Sequence, residues 1–215
     1  MRASVLASVL ACLFGTGCAA TTARDDSAYD PFDTGYEWTA GDYAIDTAGL
    51  YAWTWVWTYA TDENFRDGLE SLSFDRWWDN VSQAPVWDDD SSDVTNNVYH
   101  PLAGAFYYEY MRARGYPRLV AASQTLLQSV LFEYTIEGLY TRPSAQDLVK
   151  TTAIGVPLGI GADEAARALL RSDSTTQHVL GYLLNPMYLL PFSRWKGVRA
   201  HVSFLEPGLR IVVDF

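Results

Sequence analysis

Asn97-Val98-Tyr99-His100-Pro101-Leu102-Ala103-Gly104, continued by Tyr107-Tyr108, Arg112-Ala113-Arg114-Gly115 and Pro117, decides the fold class. It reads as a helix from about Asn96 to Arg114. Gly115 stops it, because glycine accepts the left-handed conformation of a helix end, and Pro117 cannot continue it. A second helix, from about Arg118 to Leu139, follows after so short a connection that the two should be antiparallel neighbours. Ser144 with Asp147 has capping-box spacing for a third helix. Gly155, Pro157, Gly159 and Gly161 interrupt or tighten that helix, and Gly155 and Gly159, four apart, let another helix come close. A last helix is expected from about Ser174 to Leu184, where it meets Asn185-Pro186.

Upstream, Tyr51, Trp53, Trp55, Trp57 and Tyr59 alternate with Ala52, Thr54, Val56, Thr58 and Ala60. Period two argues for a strand, and the continuous apolar length from Ala44 argues for a helix that is aromatic on all sides. Helix is the preferred reading. Residues 66–84 place Phe74, Trp77, Trp78 and Val81 at the spacing of an amphipathic surface helix. At the other end, residues 198–205 and 209–215 alternate about the turn signal Glu206-Pro207-Gly208, which predicts a β-hairpin. The expected architecture is mainly α: a compact, membrane-associated helical bundle over residues 44–192 with a small β-hairpin tail over 193–215. After residue 17 no stretch offers about 20 uninterrupted apolar residues, so the domain should rest on or partly in a membrane without crossing it.

The chain begins as an export signal. Arg2 is a short positive region, Ala3 to Phe14 is an apolar run, and Gly15-Thr16-Gly17-Cys18 follows. Residues 1–17 therefore read as a lipoprotein-type signal, with Cys18 acylated and a membrane lipid as its first partner. Cleavage by an ordinary signal peptidase after Ala19 or Ala20 is the alternative. Ala19 after the cysteine points to the outer membrane and the periplasm. Residues 18–43 are small, polar and acidic and read as a flexible tether. Cys12 lies inside the signal, so the mature chain has no pair of cysteines for a disulfide.

Net charge is −11, and it is concentrated. Residues 18–99 carry seventeen Asp and Glu against three Lys and Arg, whereas residues 100–215 balance nine against eleven. No basic footprint exists for nucleic acid, and that partner class is set aside. Eight Trp and fourteen Tyr suit an interface between apolar matter and water.

Candidate chemistry gathers in His100, Glu133, Glu137 and Asp147. Glu133 and Glu137 are four apart, on a helix face expected to be shared with Leu126 and Val130. Carboxylates on such a face must be paired, hydrogen-bonded or protonated. A His with two or three carboxylates can bind a divalent metal or serve as a general base. The structural alternatives stand beside this. His100 can be a helix-start residue tying helices together, Glu133 and Glu137 can pair with Arg112, Arg114 or Arg142, and Asp147 can be a cap. Asp88, Asp89, Asp90 and Asp93 read as a solvated acidic turn, since the loop lacks the glycine and distal Glu of an EF-hand. His178 and His201 read as structural or surface residues. No nucleophile elbow, phosphate loop or zinc-protease motif is present, and no cofactor is specified.

The Asn97…His100-Pro101…Gly104 block, Phe132-Glu133-Tyr134 with Glu137, and Pro143-Ser144-Ala145-Gln146-Asp147-Leu148 together resemble an uncharacterised family of bacterial envelope proteins, a domain of unknown function. The resemblance runs over roughly residues 45–190. It implies a helical fold and an envelope location, and no activity. The reading that results is a non-catalytic envelope lipoprotein that packs on the membrane or on an envelope membrane protein. The alternative is a membrane-surface hydrolase of lipid or another envelope substrate, working through His100, Glu133 and Glu137.

Overall fold

The computed structural model describes residue 32, residues 37–87 and 92–194 and, as backbone alone, residues 199–205 and 208–214. The signal, Cys18, most of the tether, Asp88, Asp89, Asp90 and the His201 side chain lie outside the described residues.

Between residues 37 and 194 the chain is mainly helical. Helix α1 spans Ala40–Thr61, α2 Glu63–Glu70 and α3 Phe74–Val81. A π-helical turn, Thr95–Tyr99, leads into α4, His100–Ala113. Helix α5, Arg118–Leu131, runs on into a second π-turn, Phe132–Ile136, and a 3-10 turn, Glu137–Leu139. The short α6, Ala145–Val149, passes through a third π-turn, Lys150–Ile154, into α7, Gly155–Leu170. Helix α8, Thr175–Leu184, and a 3-10 turn, Pro186–Leu189, complete the bundle. Among the described residues no helix is long and apolar enough to cross a membrane.

The aromatic stretch is a helix, and it starts at Ala40, four residues ahead of the expected boundary. Thr39 caps it: its hydroxyl accepts from the Asp42 amide, and the Asp42 carboxylate accepts from the Thr39 amide. Residues 40–43, expected in the tether, thus belong to this helix. Trp38 packs on Tyr43 and Tyr116, and Phe32 meets Tyr188 edge-on. The single amphipathic helix expected over 66–84 is two helices. Ser71 closes α2, and Asp62 and Ser73 begin α2 and α3 by accepting from the Phe65 and Arg76 amides.

Gly115 ends α4 as expected, at φ 89°. Its amide donates to the Arg112 carbonyl, and the Tyr116 amide donates to the Met111 carbonyl. This is the Schellman arrangement, which requires a left-handed residue at Gly115. Tyr116 and Met111 are thereby drawn into one cluster with Tyr108, Ala121 and Val156. A second cluster joins Ala113, Ala166, Leu170, Met187 and Tyr188.

Helices α4 and α7 cross at glycine, as the spacing of Gly155 and Gly159 implied. A Cβ on Gly155 would lie 2.7 Å from the Gly104 Cα, and one on Gly104 would lie 1.8 Å from the Thr151 carbonyl oxygen. The two backbones therefore touch with no side chain between them.

Two helices, α1 and α5, turn polar residues inward and apolar ones outward. Helix α1 buries Asp46, Leu50, Thr54 and Thr58 and exposes Trp53, Val56 and Trp57. Helix α5 buries Gln124, Thr125, Gln128 and Ser129 and leaves Leu119, Leu126 and Leu127 outside. Polar contacts join the two: Thr47 Oγ1 donates to Gln124 Oε1 at 3.2 Å, and Gln128 Nε2 donates to the Thr47 carbonyl at 3.0 Å. Thr54 and Thr58 satisfy their hydroxyls on carbonyls one turn back.

Candidate functional site: a buried His–Glu–Glu cluster

The predicted second helix does not run to Leu139 as an α-helix. It widens at Phe132 and tightens at Glu137, and this changes where the glutamates point. Leu126 is 48 % and Val130 36 % exposed, whereas Glu133 is 1 % and Glu137 7 % exposed. The expected shared apolar face is therefore wrong. The glutamates continue the polar, inward row of Thr125, Gln128 and Ser129.

Helix α3 supports this irregular segment. Trp77 Nε1 donates to the Tyr134 carbonyl at 2.9 Å, and Asn80 Nδ2 donates to the Gly138 carbonyl at 3.0 Å. The side chains thus bond carbonyls in a stretch where the regular ladder is broken. Next along the chain, Val86 and Ala145 clamp the strand-like link before α6. The Val86 amide donates to Pro143, and the Ala145 amide donates to the Val86 carbonyl. Ser144, fully buried, is held between them, and its amide donates to Glu133 Oε2 at 2.7 Å.

His100 opens α4 directly after the π-turn, with Pro101 next to it. Its Nδ1 lies 3.2 Å from the Thr151 hydroxyl and its Nε2 3.7 Å from Asp147 Oδ2. Phe132 stands edge-on to the imidazole. One ligand atom from each of His100, Glu133 and Glu137 falls within 4.8 Å of the others. Three of the predicted residues thus converge, and Asp147 borders them from α6.

Asp147 has a double role. Ser144 caps α6 by accepting from the Asp147 amide, but only that half of the predicted capping box is present as a cap bond. The Asp147 side chain is instead turned toward His100. The expected ion pairs also fall differently. Arg112 Nε binds Asp163 at 3.1 Å, Arg114 Nε binds Asp46 at 2.9 Å, and Arg142 Nη2 donates to the Ala84 carbonyl. His178 is structural, its Nε2 lying 2.6 Å from the Ser172 carbonyl.

Apart from Ser144, which the sequence marks only as a cap, several participants were not singled out from sequence. Thr151 and Ser144 orient His100 and Glu133. Tyr107 and Tyr140 sit close enough to feel the glutamates. Burial pushes the Tyr107 phenol up, a Thr54 hydrogen bond lowers it, and Glu133 adds to the rise. Burial, then Glu137 and Asp62, raise the Tyr140 phenol. Glu109 is a further buried carboxyl, pushed up to about 8 by burial and by Asp163. No local pattern marks these residues, because each owes its place to packing.

Chemically, the cluster offers one imidazole and two or three carboxylates in a buried site. His100 is 8 % and Asp147 0 % exposed. An apolar groove of about 350 Å³ lined by Trp55, Phe74, Trp77, Thr135 and Leu139 contains none of the four residues. What these features define is a helical domain with an internal polar centre.

Residues 84–187 match the family model described as a domain of unknown function (DUF3943). The match is narrower than the resemblance, taking in the whole cluster and leaving α1, α2 and α3 outside, and its description carries no activity. No curated protein and no solved structure matches the chain.

Proposed function

We propose that the protein is a non-catalytic, lipid-anchored envelope component whose helical domain seats its apolar exterior in a membrane surface. The observation that carries this is the inversion of the helix faces. In water, a helix gains by turning Trp and Leu inward and Thr and Gln outward. Helices α1 and α5 do the reverse, and α8 adds Val179, Leu180 and Leu183 to the exposed apolar set. Exposed Trp53, Trp57, Trp78 and Trp87 suit the interfacial zone, where an aromatic body meets lipid and its N–H meets water. Since no described helix crosses a bilayer, the seat is monotopic.

The signal-like start and Cys18 support a lipid anchor, and Ala19 supports the outer membrane. A terminal hairpin belongs to the same proposal. It is supported by the alternation and by antiparallel pairing of Arg199–Leu205 with Gly208–Asp214, Val202 opposite Ile211. The hydrolase reading is the weaker one, because His100, Glu133 and Glu137 are all buried.

The test is flotation with liposomes of a Cys18→Ser chain, which removes the proposed anchor and leaves the apolar faces. The domain should float with the vesicles, and a brominated lipid should quench its Trp fluorescence. Recovery in the dense fraction with unquenched Trp would overturn the membrane seat and leave a protein partner as the cover for these faces.

A further inference from the structure

Three π-helical turns, Thr95–Tyr99, Phe132–Ile136 and Lys150–Ile154, meet at one place. The first delivers His100 at its end, the second contains Glu133, and the third contains Thr151. Such turns make up well under about 1 % of residues in globular proteins and concentrate at functional sites. Each gives up regular helical bonding, and together they set Glu133 and Thr151 around the imidazole of His100.

We propose that His100, Glu133 and Glu137 bind one divalent transition-metal ion, with Asp147 as the adjoining carboxylate and Thr151 and Ser144 as positioning residues. This inference does not rest on the membrane seat. Metal–nitrogen and metal–oxygen bonds of about 2.0–2.2 Å put neighbouring ligand atoms roughly 3–3.6 Å apart and opposite ones at about 4.2 Å. The three ligand atoms all lie within 4.8 Å of one another, so each needs to move by no more than about 0.7 Å to reach bonding distance of a shared ion. His100 Nε2 and Asp147 Oδ2, at 3.7 Å, are too far apart for a hydrogen bond and near the spacing of two ligands on one metal.

The surroundings are those of a prepared site. Metal-ligating histidines generally have their second nitrogen bound, which sets tautomer and ring angle. Thr151 does this for His100 Nδ1, leaving Nε2 toward Asp147. The Ser144 amide holds one oxygen of Glu133, so the carboxylate can present its other oxygen without swinging. One imidazole with carboxylates and no thiolate suits zinc, manganese or ferrous iron better than copper(I) or calcium. Burial of all three donors suits a structural ion, because a catalytic metal keeps a position open to substrate. The ion would tie the start of α4 to the irregular turns that end α5, with α6 beside it through Asp147.

The experiment uses the full chain in mild detergent, stripped with a chelator and reloaded with Zn²⁺, Mn²⁺ or Fe²⁺ alone. Elemental mass spectrometry after desalting should find one ion per chain, with a raised melting temperature. Glu137→Gln, close in shape to the native residue, should abolish retention. Thr151→Val should weaken affinity by about 10–100-fold while leaving the donor set intact. His100→Ala is informative only if circular dichroism shows it folded, which is why the other two variants carry the test. Folded wild type that retains none of the three ions overturns the proposal. So does undiminished retention by folded Glu137→Gln, which would mark an adventitious ion only. Liposome flotation is unaffected by either result, so the two proposals fail separately.

Discussion

Replacing Gly104 by Ala tests the packing that frames the site. The new methyl would fall 1.8 Å from the Thr151 carbonyl oxygen and 3.1 Å from the Gly155 Cα. Real Cβ atoms essentially never approach below 3.0 Å, so α4 and α7 must part by about 1.2 Å at the crossing. Both obstacles are backbone atoms, and no rotamer change can relieve them. Overpacking costs typically about 1–3 kcal/mol, and this contact belongs at the upper end. Ala is favoured over Gly within a helix by roughly 1 kcal/mol, which offsets part of it. The expected net loss is about 2 kcal/mol, or a fall of roughly 4–8 °C in melting temperature for a domain of this size. Circular dichroism melts in detergent should show it. Gly161→Ala is the internal control: its Cβ meets nothing within 4 Å, so it should hold or raise the melting temperature. A Gly104→Ala protein as stable as wild type would refute the backbone-to-backbone crossing.

Glu109 gives a pH signature. Its carboxyl is raised to about 8 in the folded chain, so the folded state binds the proton more tightly than the unfolded state. The stability it contributes is complete below the usual glutamate range and is lost as pH rises through about 8. Melting temperature should therefore decline over that window, and Glu109→Gln should flatten the decline. Asp163 is fully buried and accepts from Arg112, Arg167, Asn185 and Tyr188. Asp163→Ala strands two guanidinium groups and should cost about 3–5 kcal/mol, read as a shift in denaturation midpoint. Cys18→Ser should abolish incorporation of a fatty-acid label in cells, and unchanged labelling would exclude the anchor.

Much of the fold was legible because its signals are local. Gly115 with Pro117 marks a stop, Ser174 starts a helix, and Gly155 with Gly159 marks a close crossing. The convergence of His100 with Glu133 and Glu137 followed from two consecutive antiparallel helices. The orientation of α5 was misread for a physical reason. The usual rule of apolar residues inward turns Leu126 and Val130 to the core, and here the row of Thr125, Gln128 and Ser129 is inward. Ion pairs were equally hidden, since Arg112–Asp163 and Arg114–Asp46 join residues 51 and 68 apart. Nor does a one-residue widening of a helix leave any trace in composition, so the π-turns that aim Glu133 and Thr151 could not be foreseen.

Thr151 belongs to two structures at once. Its carbonyl fills the space where a side chain on Gly104 would lie, and its hydroxyl meets the His100 ring. The crossing and the imidazole therefore share one residue, and neither can drift without the other. In a genetic screen, suppressors of a bulky residue at position 104 should arise at Gly155 or elsewhere along the crossing, and those that move the Thr151 backbone should bring a defect at His100 with them. Natural variation at 104, 151 and 155 should be correlated for the same reason, three positions inherited as a single unit of shape.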